Sequence, residues 1–531
     1  MDTVFRGPLI ADGRGGEPYV GDVGILDGYI AEIADAGMIS GRRVIDATGL
    51  VLAPGFIDMH SHSDLQLLVN PDHVAKVSQG VTTEVLGQDG LSYAPVNDET
   101  LDALRTQLAG WNGDPAGFDW SWRSVGEYLD RLDRGIAVNA AYLVPQGSVR
   151  MLAVGWANRP ATDSELDAMR ELVATGMAEG AFGMSSGLTY APGMYATTDE
   201  LVALCEVVRH SGGYYSPHHR SYGAGALDAY REMIDVSRRS GCPLHLTHAS
   251  MSFPVNKGKA PDLLRLVDAA LAEGCDISLD TYPYLAGATY LSALLPSWAA
   301  EGGTHAVLAR LAVPDVRERI RKEMEEVGSD GAHGVPVDWS AIEIAGVQEA
   351  RNESLVGQSI AQAAAVSGVR PAELYFDVLT SDWLATSCVL HIGDEDNVRT
   401  IMQHRTHTGG SDGLLVGARP HPRAWGTFPR YLGRYVRELG ILSLGECVSH
   451  LTHQAARRLG FPDRGVISAG CVADIVLFDP DTVIDTATFD NPRQQAIGIP
   501  YVFVRGVATI DDGRATGALA GRALRNPRGV P

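Results

Sequence analysis

His60 and His62 sit one residue apart at the end of an apolar run, Pro54-Gly55-Phe56-Ile57-Asp58. In a strand, alternate side chains share a face. Both imidazoles therefore point the same way, as two ligands of one metal ion must. Three more candidates end strand-like runs. His218 follows Gly213-Tyr214-Tyr215-Ser216-Pro217, His248 follows Pro243-Leu244-His245-Leu246-Thr247, and Asp412 follows Thr408-Gly409-Gly410-Ser411. Neutral imidazoles and a carboxylate suit Zn2+ with one position open to water. Taken singly, each residue reads equally well as a hydrogen-bonded loop group or a surface histidine. The order HxH, His, His, Asp along one series is what points to a metal centre.

The elements needed to gather them are legible. From about Ala53 to Leu459 the chain alternates strand-like and helical stretches. Residues 101–108, 163–179, 198–211, 226–240 and 260–273 carry helical periodicity with polar faces. Strand-like runs are 51–57, 82–86, 138–144, 182–184, 213–216, 243–247 and 276–279, and 408–411 makes the eighth. That count predicts an α/β fold, a (β/α)8 TIM barrel, whose chemistry sits at the C-terminal ends of the strands. A stretch at 296–369 breaks the rhythm with a charged helix (316–327), Gly/Asp/Ser-rich sequence and the run 342–347. It reads as an inserted subdomain or lid. Both ends of the chain are β-rich, with hairpin turns at Asp27-Gly28 and Asp512-Gly513. They form either two separate caps or, more economically, one β-sandwich. The expected domains are 1–54 plus 460–531 (sandwich), 55–459 (barrel) and 296–369 (insertion).

Composition narrows the class. The 531 residues are 45% hydrophobic, with 43 Lys+Arg against 65 Asp+Glu and a net charge of −22. Mean hydropathy is −0.02. Such a chain can bury a large core, and its acidity argues against nucleic-acid or anionic-membrane partners. No apolar run reaches the roughly 18 residues of a spanning helix, and no basic, apolar leader opens the sequence. Six scattered cysteines form no CxxC pair. Reduced thiols in a cytoplasmic protein are the expectation; no pattern sets an oligomeric state.

These residues resemble the metal-dependent amidohydrolases, and within them the N-acyl-D-amino-acid deacylases. The resemblance runs over nearly the whole chain. It includes Gln79-Gly80-Val81-Thr82-Thr83, the stretch Gly180 to Tyr190 (GAFGMSSGLTY), His218-His219-Arg220, Asp280-Thr281-Tyr282-Pro283-Tyr284 with Thr289, Ser411-Asp412-Gly413, Pro420-His421-Pro422-Arg423 and Ala473-Asp474-Ile475-Val476. Ser185 to Tyr190 and the Pro-His-Pro-Arg run are particular to the deacylase branch. The resemblance implies a distorted barrel with a sandwich built from both termini and one or two zinc ions in the barrel mouth. It implies hydrolysis of an N-acyl-D-amino acid to a D-amino acid and a carboxylate.

Four departures stand out, one from the wider superfamily and three from the deacylase branch. Many amidohydrolases bridge two metals with a carboxylated lysine before the first single histidine, but no lysine lies between Lys76 and Lys257. The deacylase branch uses a cysteine in a Gly-Asn-Cys-Gly loop, where this chain has Gly87-Gln88-Asp89-Gly90. Asp89 is therefore the implied bridging ligand, a harder donor that widens the metal preference toward Mn or Co. The family's Gly-His reads Pro145-Gln146, and a lysine that helps bind the substrate carboxylate reads Ser250. Arg423 still offers a bidentate grip on a carboxylate.

On this reading Asp89, His218 and His248 hold zinc, His60 and His62 hold a second ion or complete the site, and Asp412 shuttles the proton. Tyr190 and Tyr282 line the substrate pocket or are ordinary aromatic packing. His219 flanks the site, and His245 faces the other side of its strand as a core residue. His404, His407 and His421 read as supporting or surface groups. A cyclic amide or carbamoyl substrate is the alternative within the same fold. A non-catalytic binding barrel is the alternative outside it, and the complete ligand set argues against that.

Overall fold

Gly55 cuts the first long apolar run into two strands that serve different sheets. Val51–Pro54 joins a seven-stranded sheet, while Phe56–Asp58 (β1) opens the barrel. A Cβ on Gly55 would lie 2.2 Å from Thr82 Cγ2, so the crossing needs glycine. In this computed structural model, which describes residues 1–529, the other barrel strands are Val81–Leu86 (β2), Asn139–Pro145 (β3), Gly183–Gly187 (β4), Tyr214–His218 (β5), Leu244–Leu246 (β6), Ile277–Thr281 (β7) and His407–Gly409 (β8). They lie side by side in chain order, every pair parallel. Helices cover the outside, so both faces are buried and β2 and β3 have no exposed residue.

The seam between β8 and β1 closes through backbone beyond the strands. Met59 N donates to Gly409 O at 3.0 Å, Asp412 N donates to His60 O at 2.8 Å, and Ser61 bridges Gly413 in parallel. With β1, β6 and β8 only three residues long, this is the (β/α)8 barrel of the strand count, distorted as the resemblance implies. The helices fall close to the expected spans, at Asp98–Gln107, Asp163–Ala178, Thr198–His210, Ala226–Ser240 and Ala260–Ala272.

Both chain ends share one sandwich. One sheet holds Thr3–Arg6, Asp22–Leu26, Tyr29–Ala34 and Arg43–Asp46. The other joins Val51–Pro54 antiparallel to Ile475–Phe478, with Ala53 opposite Val476. Phe5, Ile25, Leu52, Ile475 and Phe503 pack between the sheets. Asp27 and Gly28 both have positive φ (50° and 82°), the two-residue hairpin geometry that Asp-Gly favours.

Between β7 and β8 a three-stranded antiparallel sheet (Ala286–Tyr290, Ser387–His391, Ile342–Gly346) and its helices enclose a separate core containing Leu311, Ile344, Ile360 and Tyr375. Two of its strands lie outside 296–369. They pair across a separation of about a hundred residues, which no local pattern announces. Among the described residues no helix is long and apolar enough to cross a membrane. The six cysteines are unpaired.

Candidate metal centre

All six candidate ligands gather at the C-terminal mouth of the barrel, buried. His60 and His62 lie just past β1 rather than in it. The Ser61–Gly413 bridge keeps the backbone extended there, so the two rings still share a face. Asp89 sits in the turn after β2. His218 ends β5, His248 follows β6 by two residues, and Asp412 follows β8 by three.

Asp89 is common to two groups, one with His60, His62 and Asp412 and the other with His218 and His248. Its Oδ1 lies 3.6 Å from His60 Nε2 and 3.5 Å from His248 Nε2. Its Oδ2 lies 3.5 Å from His62 Nε2 and 3.4 Å from His218 Nδ1. His60 Nε2 is 3.3 Å from His62 Nε2, and His62 Nε2 is 3.1 Å from Asp412 Oδ1. His218 Nδ1 is 3.2 Å from His248 Nε2. Donors bound at 2.0–2.1 Å to one tetrahedral ion stand about 3.3–3.4 Å apart. The observed edges bracket that value, and the buried Asp89 Oδ1 has no hydrogen-bond partner. The donor set fits a divalent cation.

The surrounding groups fix the rings. Thr189 Oγ1 lies 2.7 Å from His218 Nε2, and Tyr222 OH lies 3.1 Å from His248 Nδ1, so each ring is held at the nitrogen turned away from the centre. Asp280 Oδ1 accepts from His248 N at 2.8 Å, and its Oδ2 pairs with His245 Nε2 at 2.9 Å. Asp89, His248 and Asp412 all adopt positive φ (54°, 32° and 50°), a cost of order 1–3 kcal/mol each that recurs at functional sites. Burial pushes His60 down to about 4, which favours a neutral ligand. Burial opposes charge on His62 as well, but hydrogen bonds to Asp412 and Asp89 outweigh it and raise its pKa to about 9. Burial also works against ionised Asp412. The Arg423 guanidinium and His60 overcome it, holding the carboxyl well below the usual carboxylate range.

Tyr190, Tyr282 and Ser250 line a cavity of about 80 Å3 that includes Asp89, His218, His248 and Asp412. Leu294, His333 and Leu390 roof it from the inserted subdomain. Arg423 is wholly buried, with Nη2 2.9 Å from Asp412 Oδ2 and its guanidinium over the Tyr282 ring at 4.5 Å. The arginine expected to face a substrate carboxylate thus spends one nitrogen on Asp412, while Nε and Nη1 stay unpartnered. His245 is a buried, hydrogen-bonded core group as expected. His404, His407 and His421 are buried and lie outside both ligand groups. Gln146 binds Glu200 at 3.3 Å, away from the cavity. Thr189, Tyr222 and Asp280 were not singled out as supports. Thr189 and Asp280 do fall within motif stretches quoted above, whereas nothing in sequence marks Tyr222.

Residues 43–510 match the amidohydrolase family. The chain is 34% identical to D-aminoacylase of Alcaligenes xylosoxydans xylosoxydans over 525 residues, covering 99% of this chain and 97% of that protein. It is 34% identical to the N-acyl-D-glutamate deacylase of the same organism, over 96% of this chain and 93% of that one. The crystal structure of N-acyl-D-glutamate deacylase from Bordetella bronchiseptica, complexed with zinc and a phosphonate mimic of the reaction's tetrahedral intermediate, aligns with TM-score 0.84 at 32% identity over 99% of both chains. A D-hydantoinase aligns with TM-score 0.56 at 16% identity, a likeness of fold alone. Matched across nearly its whole length, barrel, sandwich and insertion included, the chain belongs to the amidohydrolase family.

Proposed function

We propose that this chain is a metal-dependent N-acyl-D-amino-acid deacylase, hydrolysing the amide to a D-amino acid and a carboxylate. The observation that carries the reading is the single Asp89 carboxylate set among four imidazole nitrogens at 3.4–3.6 Å, with Asp412 beside them. His218 and His248 with Asp89 would hold one ion, and His60 and His62 with Asp89 and Asp412 a second. A divalent cation held there, zinc or a harder metal, would make water acidic enough to attack near neutral pH and would polarise the amide carbonyl. Asp412 takes a proton from the attacking water as its oxygen bonds to the acyl carbon. It then gives that proton to the leaving nitrogen as the C–N bond breaks. Arg423 keeps Asp412 ionised and so able to accept. Arg423 is wholly buried and does not line the cavity, so its unpartnered Nε and Nη1 would reach a substrate carboxylate only if the neighbouring side chains moved. Tyr190 and Tyr282 wall the substrate, and the subdomain roof limits water. With six unpaired cysteines, we assign the reaction to the cytoplasm.

Ser250 supports a second reading. It lines the cavity where a family lysine would stand, and no lysine or arginine lines that cavity among the described residues. A neutral cyclic amide would not need the missing cation. A panel of N-acetyl-D-, N-acetyl-L- and cyclic amides with metal-loaded protein separates the two. Free D-amino acid and acetate in equal amounts is the expected result. Ring-opened product with no D-amino acid would replace the first reading by the second.

A further inference from the structure

Behind the candidate centre lies a group of buried charges that the reaction above does not use. Lys76 Nζ lies 2.6 Å from Asp58 Oδ2 and 3.1 Å from Glu84 Oε1, and donates to Ser411 Oγ at 2.7 Å and Ser61 Oγ at 3.3 Å. Glu84 also accepts from Ser61 at 2.6 Å and Ser63 at 3.0 Å, and pairs with His73 Nε2 at 2.6 Å. Asp58 Oδ1 accepts from two backbone amides, His60 N at 3.2 Å and Ser411 N at 2.8 Å. Lys76, Asp58, Glu84, Ser61 and Ser411 are 0% exposed. Burial opposes the ammonium charge, but Asp58 and Glu84 outweigh it and raise the lysine's pKa.

The partners are placed selectively. Ser61 stands between His60 and His62, and Ser411 immediately precedes Asp412. Asp58 ends β1, Glu84 lies in β2, and Ser411 lies in the loop after β8. One ammonium with three rotatable donors thus joins three neighbouring segments at the barrel's closing seam. The Asp89, His218 and His248 side has different supports, namely Thr189, Tyr222 and Asp280.

We propose that Lys76 is a positioning residue for one half of the metal centre. It ties the HxH segment to the Asp412 loop at the spacing a single ion requires, while the half built on His218 and His248 assembles without it. The proposal rests on the metal-centre reading, and its test reads bound metal rather than deacylation, so failure of either is seen separately.

Metal-stripped protein is titrated with zinc, with stoichiometry read by elemental analysis and stepwise affinity by chelator competition. His60→Ala marks which step belongs to the HxH half. Wild type takes two ions. Lys76→Met weakens the marked step by about 10–100-fold, the range for lost ligand supports, and leaves the other step within about threefold. Ser411→Ala keeps every ion pair and removes one Lys76 contact, together with the Ser411 Oγ bonds to His60 O and Gly413 N. It weakens the same step by about tenfold and gives the reading if Lys76→Met does not fold. Equal weakening of both steps, no change in either, or a wild type that takes only one ion overturns the proposal.

Discussion

Asp412, to which the proposed mechanism gives the proton transfer, has His62 at 3.1 Å on one oxygen and Arg423 at 2.9 Å on the other. Asp412→Asn keeps the shape and removes the base. It should lower kcat by about 10²–10⁴ with metal content intact, measured on metal-loaded protein; turnover near wild type would remove the role. Asp89 is a carboxylate where the resembling family carries a thiolate. Asp89→Cys should raise affinity for zinc relative to manganese, on the order of tenfold, because a softer donor favours zinc. Competition titration of the two metals checks it, and an unchanged ratio would separate metal choice from this position. At this scale His60, His62, His218, His248 and Asp412 were legible because each ends an apolar run, and Asp89 only through its loop's resemblance. Tyr222 and Lys76 were not, because their partners come from distant segments and neither carries a local signal.

At the scale of elements, the barrel strands and their helices followed from alternating periodicity, and the outcome differs where close approach overrides pattern. The run 51–57 looked like one strand. Its division at Gly55 is set by Thr82 of β2 pressing against that backbone. The inserted sheet reached beyond 296–369 because its flanking strands pair non-locally. The seam between β8 and β1 is the element on which the site depends most. A Cβ on Gly413 would lie 2.9 Å from Ser411 Oγ and 3.2 Å from both Ala424 Cα and Lys76 Nζ. Gly413→Ala should therefore cost about 1–3 kcal/mol of stability and displace the neighbouring Asp412. Denaturant unfolding together with kcat checks this. A stable variant with wild-type turnover would show that the seam tolerates movement without affecting chemistry.

Across the whole molecule, two β-rich ends and a long barrel converge so that residues from 60 to 412 share one small space. The unfolded chain has no such space, so an ion bound only by the folded state stabilises it by mass action, about 2.7 kcal/mol at a hundredfold excess over Kd. Stripping the metal should lower the unfolding midpoint accordingly, and restoring it should raise the midpoint again. The net charge of −22 concentrates cations near the surface at low salt without selecting among them. The most direct test of the central claim is to titrate metal-stripped protein with zinc, manganese or cobalt while following release of D-amino acid from its N-acetyl derivative. Activity absent in the stripped protein and rising in proportion to bound ion is the predicted result. Full turnover in protein verified to be metal-free would contradict it.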